Sequence, residues 1–451
     1  MASRSNRPST NAERTDPGRR AMALVALGAM AATVAIAVLG LILHPLVILW
    51  SSAAVALVVA GVILIVTTPG IRRLLGGATA VAGAVAWLWI LIDGDAILFV
   101  VAIGVATAVS TLLALLALRP QPYRPPAREA VTPSKPFIVM NRRSGGGKVE
   151  KFELDAKAEA AGAEVRYLDD GTDAEAALRQ AVADGADLLG AAGGDGTQAL
   201  VARIAVEHDL PIICIPAGTR NHFALDLGLD RKHPSRALDA IGEDGEEIVI
   251  DLGWAGDRPF VNNVSLGAYA EIIARPEYRD AKFTTVMAVL PQVTEPSARS
   301  GFTVEADGQP TVEDPQLVQV ANNQYAGPND PAPAATRPRL DTGKLGVDVV
   351  AYKNSTELGD LVAEALAGRT IRSTAYRSWT GTKVRISARD GVVRAGVDGE
   401  AVEFPSPLEI SIAPASLRVR LPKDRPGPKV GWPRLDRRIV MRLWAILVGG
   451  N

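Results

Sequence analysis

The residues best suited to do chemistry form a short glycine-rich segment, residues 193–197, with the sequence GGDGT. It follows an apolar, strand-like run and opens a helical pattern, so its glycines let the backbone turn tightly and approach a ligand. Free N–H groups at a helix start favour an anion, and phosphate is the natural occupant. The Asp195 carboxylate would repel a phosphate unless a cation or a donor lies between them. The segment therefore indicates a phosphate site. A plain glycine-rich turn is the alternative.

Two more polar loops have a similar construction. Residues 141–148 (NRRSGGGK) follow the apolar run FIVM, and residues 216–222 (PAGTRNH) follow the apolar run PIICI. Taken alone, the first of these is equally well a flexible basic turn. Open α/β sheets bind ligands at the carboxyl ends of their strands, so three such loops on one rim predict a shared ligand site.

The elements that must position these loops alternate between strands and helices. Strand-like runs such as FIVMN, AEVRYL, DLLGAA and PIICIPA are separated by helical runs such as VEKFELDAKAEAAG, DAEAALRQAVADG and TQALVARIAVEHD. This alternation predicts a parallel sheet with helical crossovers, an α/β domain over residues 136–245. From residue 246 to 422 the segments are mostly strand-like and predict an antiparallel β domain, interrupted by helical insertions near 272–290 and 355–369.

The N-terminal quarter of the chain has a composition that suits the hydrocarbon core of a membrane. Apolar runs near residues 21–43, 45–67, 76–92 and 95–118 are long enough to cross hydrocarbon, so residues 21–118 are predicted to form four transmembrane helices. The third run is the shortest, and its pairing with the fourth as a re-entrant hairpin is the alternative.

Basic residues predict the orientation of these helices. Arginines flank the first run on its N-terminal side, separate the second run from the third and follow the fourth, whereas His44-Pro45 and residues 93–95 contain no Lys or Arg. The positive-inside rule then places residues 1–20 and everything after residue 118 in the cytoplasm, anchored at the cell membrane. Residues 119–135 are proline-rich and are predicted to form a semi-rigid linker.

Composition excludes some functions. The chain has 451 residues and a formal net charge of −1, which argues against a nucleic-acid partner held by bulk electrostatics. Its single cysteine, Cys214, excludes an internal disulfide framework.

The tail, residues 423–451, is basic, aromatic and apolar, but too short to span a membrane. It is predicted to lie at the membrane interface or to dock as a helix on the folded domain.

Five motifs in order carry a family resemblance: NRRSGGG, AAGGDGT, PAGTRNHFALDLGL, IDLG and VDGE. Over residues 136–422 the chain resembles the diacylglycerol kinase catalytic domain family, which includes sphingosine and ceramide kinases. The resemblance implies an ATP-binding α/β domain, a β-sandwich domain of the NAD kinase and diacylglycerol kinase type, and an active site in the cleft between them. It also implies ATP and Mg²⁺ as cofactors, and a lipid with a free hydroxyl as substrate.

The resemblance also implies roles for individual residues. Asp398 and Glu400 match the family's acidic pair, in which the later residue is the general base on the lipid hydroxyl, and Asp195 is the acid of the phosphate loop. Asp341 lies at the family's metal-bearing turn. The residues that match nucleotide-binding positions are Asn141, Ser144, Gly145, Gly193, Gly194, Gly196, Thr197, Thr219 and Asn221.

Some positions depart from the family pattern and keep alternatives open. Leu168 stands where a threonine often contacts ATP, His222 replaces an acid, and at the metal turn either Asp341 is displaced by one residue or Thr342 replaces it. One alternative is an NAD kinase, although four membrane spans give no advantage with a soluble substrate. The other is a catalytically silent membrane protein that binds nucleotide. Diacylglycerol, a ceramide or sphingoid base, and a polyprenol all fit as the lipid.

Overall fold

The computed structural model describes residues 17–67, 71–93, 97–119, 122–168, 172–267, 300–326, 336–366, 373–428 and 439–448. The chain divides into two compact units. One comprises residues 1–119 together with 432–451, and the other comprises residues 120–431. They are called here the helical unit and the catalytic unit.

The bounds of the elements are as follows. The α-helices are α1 Pro17–Leu43, α2 Pro45–Thr67, α3 Ile71–Asp93, α4 Ile97–Ala117, α5 Lys148–Lys151, α6 Leu154–Ala160, α7 Ala174–Ala183, α8 Asp195–Glu207, α9 His222–Asp226, α10 Ser355–Leu366 and α11 Ile439–Val448. The strands are β1 Arg128–Glu129, β2 Pro136–Met140, β3 Glu164–Tyr167, β4 Leu188–Gly193, β5 Ile212–Pro216, β6 Gly245–Ala255, β7 Arg258–Phe260, β8 Asn263–Gly267, β9 Phe302–Ala306, β10 Val312–Glu313, β11 Leu317–Ala321, β12 Leu345–Val350, β13 Tyr376–Gly381, β14 Lys383–Ala388, β15 Val392–Val397, β16 Glu400–Pro405 and β17 Leu408–Pro422.

The helical unit contains the four predicted apolar helices. Each of α1 to α4 is long and apolar enough to cross a membrane. The third is a continuous helix of 23 residues and packs along α2, while α1 packs along α4. Small residues allow the close approach of α2 and α3, since a methyl group on Gly61 would overlap the backbone of Ala80. The third run therefore does not pair with the fourth as a re-entrant hairpin.

The tail contributes a helix to this same unit. Helix α11 packs on α1 and α4, and Leu443 and Ile446 are its buried residues. Neither predicted alternative for the tail included this contact with the N-terminal helices.

The α/β part of the catalytic unit is a parallel sheet in the order β3-β2-β4-β5. Its strands are parallel because helices cross over between them, as the alternating pattern predicts. One predicted helix is interrupted: Glu153 adopts a left-handed φ of 52° between α5 and α6. The sheet does not stop at residue 245, because the end of β17 pairs parallel with β5 and β6 pairs antiparallel with β17.

The β part consists of antiparallel strands. One set, β10-β9-β14-β17, extends the α/β sheet, and a second sheet has the order β13-β12-β11-β8-β15-β16. Apolar side chains from both sheets form a common core, including Phe260, Val320 and Ile386. The helical insertion predicted at 355–369 is α10, and the one predicted at 272–290 lies outside the described residues.

Candidate active site

Three loops meet at the carboxyl ends of β2, β4 and β5, as the sequence predicts. They are held together by backbone hydrogen bonds. The N–H of Asn141 donates to the carbonyl of Ala192 over 3.0 Å, and the N–H of Gly218 donates to the carbonyl of Gly193 over 2.9 Å. The first loop (141–148), the phosphate loop (193–197) and the third loop (216–222) therefore form one surface.

The first loop is locked onto the third at a single glycine. Gly145 has a φ of 59°, and a methyl group there would overlap the carbonyl oxygen of Ala217. Lys148 strengthens the contact by donating from Nζ to the carbonyls of Gly218 at 3.1 Å and Pro216 at 3.4 Å. Burial lowers the pKa of Lys148, and the charge of Arg231 lowers it further. Lys148 thus has a structural role here that the sequence did not indicate.

The phosphate loop leads into α8, and its residues 194–197 are partly exposed. Gly194 precedes the helix in an extended conformation, and a side chain at Gly194 would point into open space. The first N–H groups of a helix, here those of Asp195, Gly196 and Thr197, have no partner within the helix. A phosphate group fits this arrangement. The Thr197 side chain packs over Gly193, where a methyl group would press on Thr197 Oγ1.

Asp195 links the phosphate loop to the third loop. Its carboxylate accepts the backbone N–H of His222 at 3.1 Å and that of Phe223 at 3.3 Å, at the start of α9. Asn221, with a φ of 49°, uses its amide within the third loop: Nδ2 donates to the carbonyl of Gly218, and Oδ1 accepts the N–H of that residue. Asn221 therefore shapes the loop, and contact of Asn221 with nucleotide stays a prediction.

The other predicted nucleotide residues lie on the same surface. Ser144 begins a short 3₁₀ turn that ends at Gly146 and donates its N–H to the carbonyl of Asn141. Thr219 is exposed at the tip of the third loop. Both side chains remain predictions as ATP contacts.

The acidic hairpin between β15 and β16 brings Asp398 into the cleft. Asp398 is partly buried and has a φ of 48°. Its carboxylate accepts backbone N–H groups from Val261 at 2.8 Å, Asn262 at 2.8 Å and Asn263 at 3.1 Å. Burial and the charge of Asp195 raise the pKa of Asp398 to about 7, against the lowering effect of these three hydrogen bonds. Asp195 and Asp398 are therefore close enough for the charge of one to affect the other.

Glu400 lies directly at the phosphate loop. One carboxylate oxygen contacts the guanidinium of Arg258, and the other occupies the space where a side chain on Gly196 would begin. A cavity of about 390 Å³ opens at this point, lined by Gly196, Arg203, Arg258, Asp398 and Glu400 among others. A carboxylate from the β part thus faces the helix start that is suited to phosphate.

Asp341 lies in a turn that is closed by protein groups. Its two oxygens accept hydrogen bonds from the Tyr123 hydroxyl at 2.7 Å and from Arg339 Nε at 3.0 Å. The next residues are held in the same way, since the N–H of Gly343 donates to Asp251 at 2.7 Å. Within the described ranges, no group of three or more His, Cys, Asp or Glu side chains is placed to hold a metal ion. Asp341 as a metal ligand stays a prediction.

Sequence reasoning missed a buried ion pair behind the acidic hairpin. Arg337 is 1% exposed, and its Nε donates to Asp226 at 2.7 Å. It also donates to Asn262 Oδ1 at 2.9 Å and to the carbonyl of Asn322 at 2.8 Å. Arg337 therefore supports the segment whose N–H groups hold Asp398. The surrounding letters RPRL give no sign of this burial.

A helix start suited to phosphate faces a carboxylate from a second domain, an arrangement compatible with phosphoryl transfer. Two family models match the chain: the diacylglycerol kinase catalytic domain over residues 135–255, and the YegS C-terminal NAD kinase beta sandwich-like domain over residues 268–421. Together they cover more than half of the chain. The chain belongs to the diacylglycerol kinase catalytic domain family, and membership of a kinase family implies ATP as the phosphoryl donor.

Individual relatives and a solved structure are consistent with membership of this family. The chain is 28% identical to a "probable lipid kinase YegS-like" protein of Pseudomonas fluorescens, over 65% of this chain and 97% of that one. It is 29% identical to a diacylglycerol kinase of Staphylococcus carnosus, over 58% and 87% of the two chains. A crystal structure from Bacillus anthracis, provisionally identified as a diacylglycerol kinase, superposes with a TM-score of 0.50 at 19% identity, covering 64% of this chain and 98% of that one. That likeness supports the fold.

Proposed function

We propose that this protein transfers the γ-phosphoryl group of ATP to the hydroxyl of a membrane lipid, diacylglycerol or a related lipid. The observation that carries the proposal is the position of Glu400, a carboxylate of the β part that touches Gly196 of the phosphate loop. Relatives named as diacylglycerol kinases and lipid kinases support the same substrate class. The four apolar helices support a membrane location, and the arginines that flank them support a cytoplasmic position for the catalytic unit.

The α/β part is suited to hold the nucleotide. Glycines at 194 and 147 leave open space in front of the backbone, and the start of α8 offers unpaired N–H groups to phosphate oxygens. Asp195 would hold a Mg²⁺ ion together with phosphate oxygens, and this ion would offset negative charge on the transferring group. Fixed donors of this kind stabilise charge without reorganising during the reaction.

The β part is suited to activate the lipid hydroxyl. In the proposed reaction Glu400 accepts the hydroxyl proton, the lipid oxygen forms a bond to the γ-phosphorus, and the bond between that phosphorus and ADP breaks. Arg258 fixes one oxygen of Glu400, which leaves the other directed at the phosphate loop. Asp398 holds the hairpin against residues 261–263 through three N–H bonds, and so positions Glu400.

The test is the substitution Glu400→Gln in the full-length protein. The amide keeps the size of the side chain but loses its basicity, so turnover should fall by roughly 10²- to 10⁴-fold. Labelled ATP and a panel of lipids in mixed micelles measure this turnover, and calorimetry should show unchanged ATP affinity. The panel contains diacylglycerol, a ceramide, a sphingoid base and a polyprenol, with NAD as a soluble acceptor.

A matched control lies on the same strand. Glu403 is on β16, exposed, and paired with Arg394, so Glu403→Gln removes an equivalent charge away from the phosphate loop. This variant should keep turnover within a few-fold of the parent. A Glu400→Gln protein with equally preserved turnover would show that Glu400 is not the base. Transfer of phosphate to NAD, with none to any lipid, would reject the lipid substrate.

A further inference from the structure

Helix α11 has two apolar faces, and among the residues that the structure describes only one of these faces is covered by protein. The buried residues Leu443 and Ile446 pack among four alanines, Ala23 and Ala26 of α1 and Ala114 and Ala117 of α4. Because side chains project every 100° around a helix, residues 441, 444 and 448 lie on the opposite face and residue 440 lies at its edge. These are Val440, Met441, Trp444 and Val448, and they are 46%, 62%, 60% and 67% exposed.

The place where α11 docks identifies one end of the helical unit. Its partners lie near the N-terminus of α1 and the C-terminus of α4, beside Arg19, Arg20 and Arg119. Arg19 also joins these two ends, since its Nε donates to the carbonyl of Ala117 at 3.1 Å. By the positive-inside rule, this arginine-flanked end is cytoplasmic.

Apolar side chains close in sequence to the docking residues of α1 and α4 are exposed too. They include Leu24, next to Ala23, at 62% and Leu112, two residues before Ala114, at 55%. If α1 and α4 span the membrane, these side chains face lipid at the level of α11. A helix of ten residues is about 15 Å long, too short to cross a bilayer, but suited to lie in its interface.

We propose that α11 is an interfacial helix whose Val440, Met441, Trp444 and Val448 face lies in the cytoplasmic leaflet. Its partner is the boundary between headgroups and acyl chains, where a tryptophan is favoured. The chain leaves the helical unit after α4 and re-enters it at α11. The catalytic unit is therefore tethered to the membrane at both of its ends, which holds it at the surface where a lipid substrate lies. This inference rests on the proposed membrane location.

Site-specific labelling of the full-length protein tests the helix. Cys214 is the only cysteine and is buried, so a Cys214→Ala background permits single-cysteine variants. The environment-sensitive fluorophore NBD is attached at Met441→Cys, Trp444→Cys or Val448→Cys, and at Glu403→Cys as a water-exposed control. The proteins are reconstituted into vesicles of phosphatidylethanolamine and phosphatidylglycerol that contain a lipid with a doxyl quencher at a shallow or a deep position.

The expected result is quenching of the three α11 probes by the shallow doxyl lipid, several-fold stronger than by the deep one, with little quenching by aqueous iodide. The control probe should show the reverse. Quenching of the α11 probes by iodide alone would place this face in water. Protection from both quenchers would mean that protein covers it. Either outcome overturns the proposal. Since quenching needs no catalysis, it gives an answer even if the lipid kinase function fails.

A second measurement tests the tether itself. The double variant Met441→Ser/Trp444→Ser should reduce phosphorylation of a long-chain lipid in vesicles several-fold and leave turnover of a short-chain, water-soluble diacylglycerol unchanged. A matched pair on α10, Leu358→Ser/Leu361→Ser, removes apolar side chains that are buried in the catalytic unit and should lower both rates together. Equal loss of both rates in the α11 variant would contradict a membrane role for this face.

Discussion

Asp398 is the residue of the site whose pKa is most clearly set by opposing electrostatic effects. Three backbone N–H groups favour its ionised form, while burial and the charge of Asp195 oppose it, and its pKa is raised to about 7. The protonated form of Asp398 is therefore favoured at neutral pH far more than that of an ordinary aspartate. A carboxylate that changes charge in this range affects both the stability of the hairpin and the field around Glu400.

The raised pKa predicts a pH-dependent stability. The ordinary value for Asp398 is 3.8 and the folded value is about 7. Between these values the folded chain binds more protons at this residue than the unfolded chain, so its stability falls as pH rises, by up to about 1.4 kcal/mol per unit, and the loss is complete above pH 7.

Melting temperatures of the full-length protein between pH 5 and 8 check this expectation. The curve of Asp398→Asn should be flatter than that of the parent. Asp390→Asn is the control, because the contact with Arg394 lowers the pKa of Asp390 and places its titration below this window. Parallel curves for the parent and Asp398→Asn would contradict the assignment.

The sequence predicted the acids of the candidate site, but it gave no sign of two basic residues near them. Asp195, Asp398 and Glu400 were predicted through motif resemblance, and the structure places all three around the start of α8. Arg258 and Arg337 were not predicted, although they contact Glu400 and Asp226. Their partners are far away in the chain, and local letters carry no information about such long-range contacts.

At the scale of elements, the nucleotide surface depends on how closely the first and third loops approach. Gly145 is the closest contact, because a methyl group there would meet the carbonyl oxygen of Ala217, whereas a methyl group on Gly147 would meet nothing. Both residues have positive φ, 59° and 78°. A comparison of the two separates the effect of loop contact from that of backbone strain.

Gly145→Ala should weaken ATP binding by at least tenfold, because the first loop must move away from the third. Gly147→Ala has the same backbone penalty, about 1 kcal/mol or somewhat more, without the overlap, and should retain most of the affinity. Calorimetric titration with ATP measures both variants. Equal losses in the two would show that conformational strain, rather than the contact between loops, accounts for the effect.

Helices and strands could be predicted from the sequence where burial alone determines the spacing of apolar residues. Buried strands such as β2 and β5 and the helix α8 were predicted because their apolar residues repeat regularly. Strand β13, with the sequence YRSWTG, has no fully buried side chain and lacked that signal. The double role of β17 was also missed. Its register shifts between Ala413 and Leu417, so one strand serves both parts, and periodicity does not report which strand is the partner.

For the whole molecule, the catalytic unit is held together across its two parts by β17 and by the Arg337–Asp226 pair. Asp226 ends α9, next to the third loop, whereas Arg337 precedes β12 and contacts Asn262 and Asn322. Burial lowers the pKa of Arg337, but the charge and hydrogen bond of Asp226, together with the charges of Tyr325 and Asp398, outweigh burial and leave the pKa raised. The arginine therefore stays charged, and it depends on Asp226 for compensation.

Asp226→Ala should destabilise the protein by about 3–5 kcal/mol, since it leaves a buried guanidinium without its carboxylate. The double variant Asp226→Ala/Arg337→Met should recover much of this loss, because no unpaired charge remains. Glu409→Ala is the control: Glu409 and Lys383 form an ion pair with side chains 59% and 62% exposed, for which about 0–1 kcal/mol is expected. Urea unfolding of the full-length protein in detergent, followed by tryptophan emission, gives the three values. The bridging role fails if Asp226→Ala costs no more than Glu409→Ala, or if the double variant is as unstable as Asp226→Ala alone.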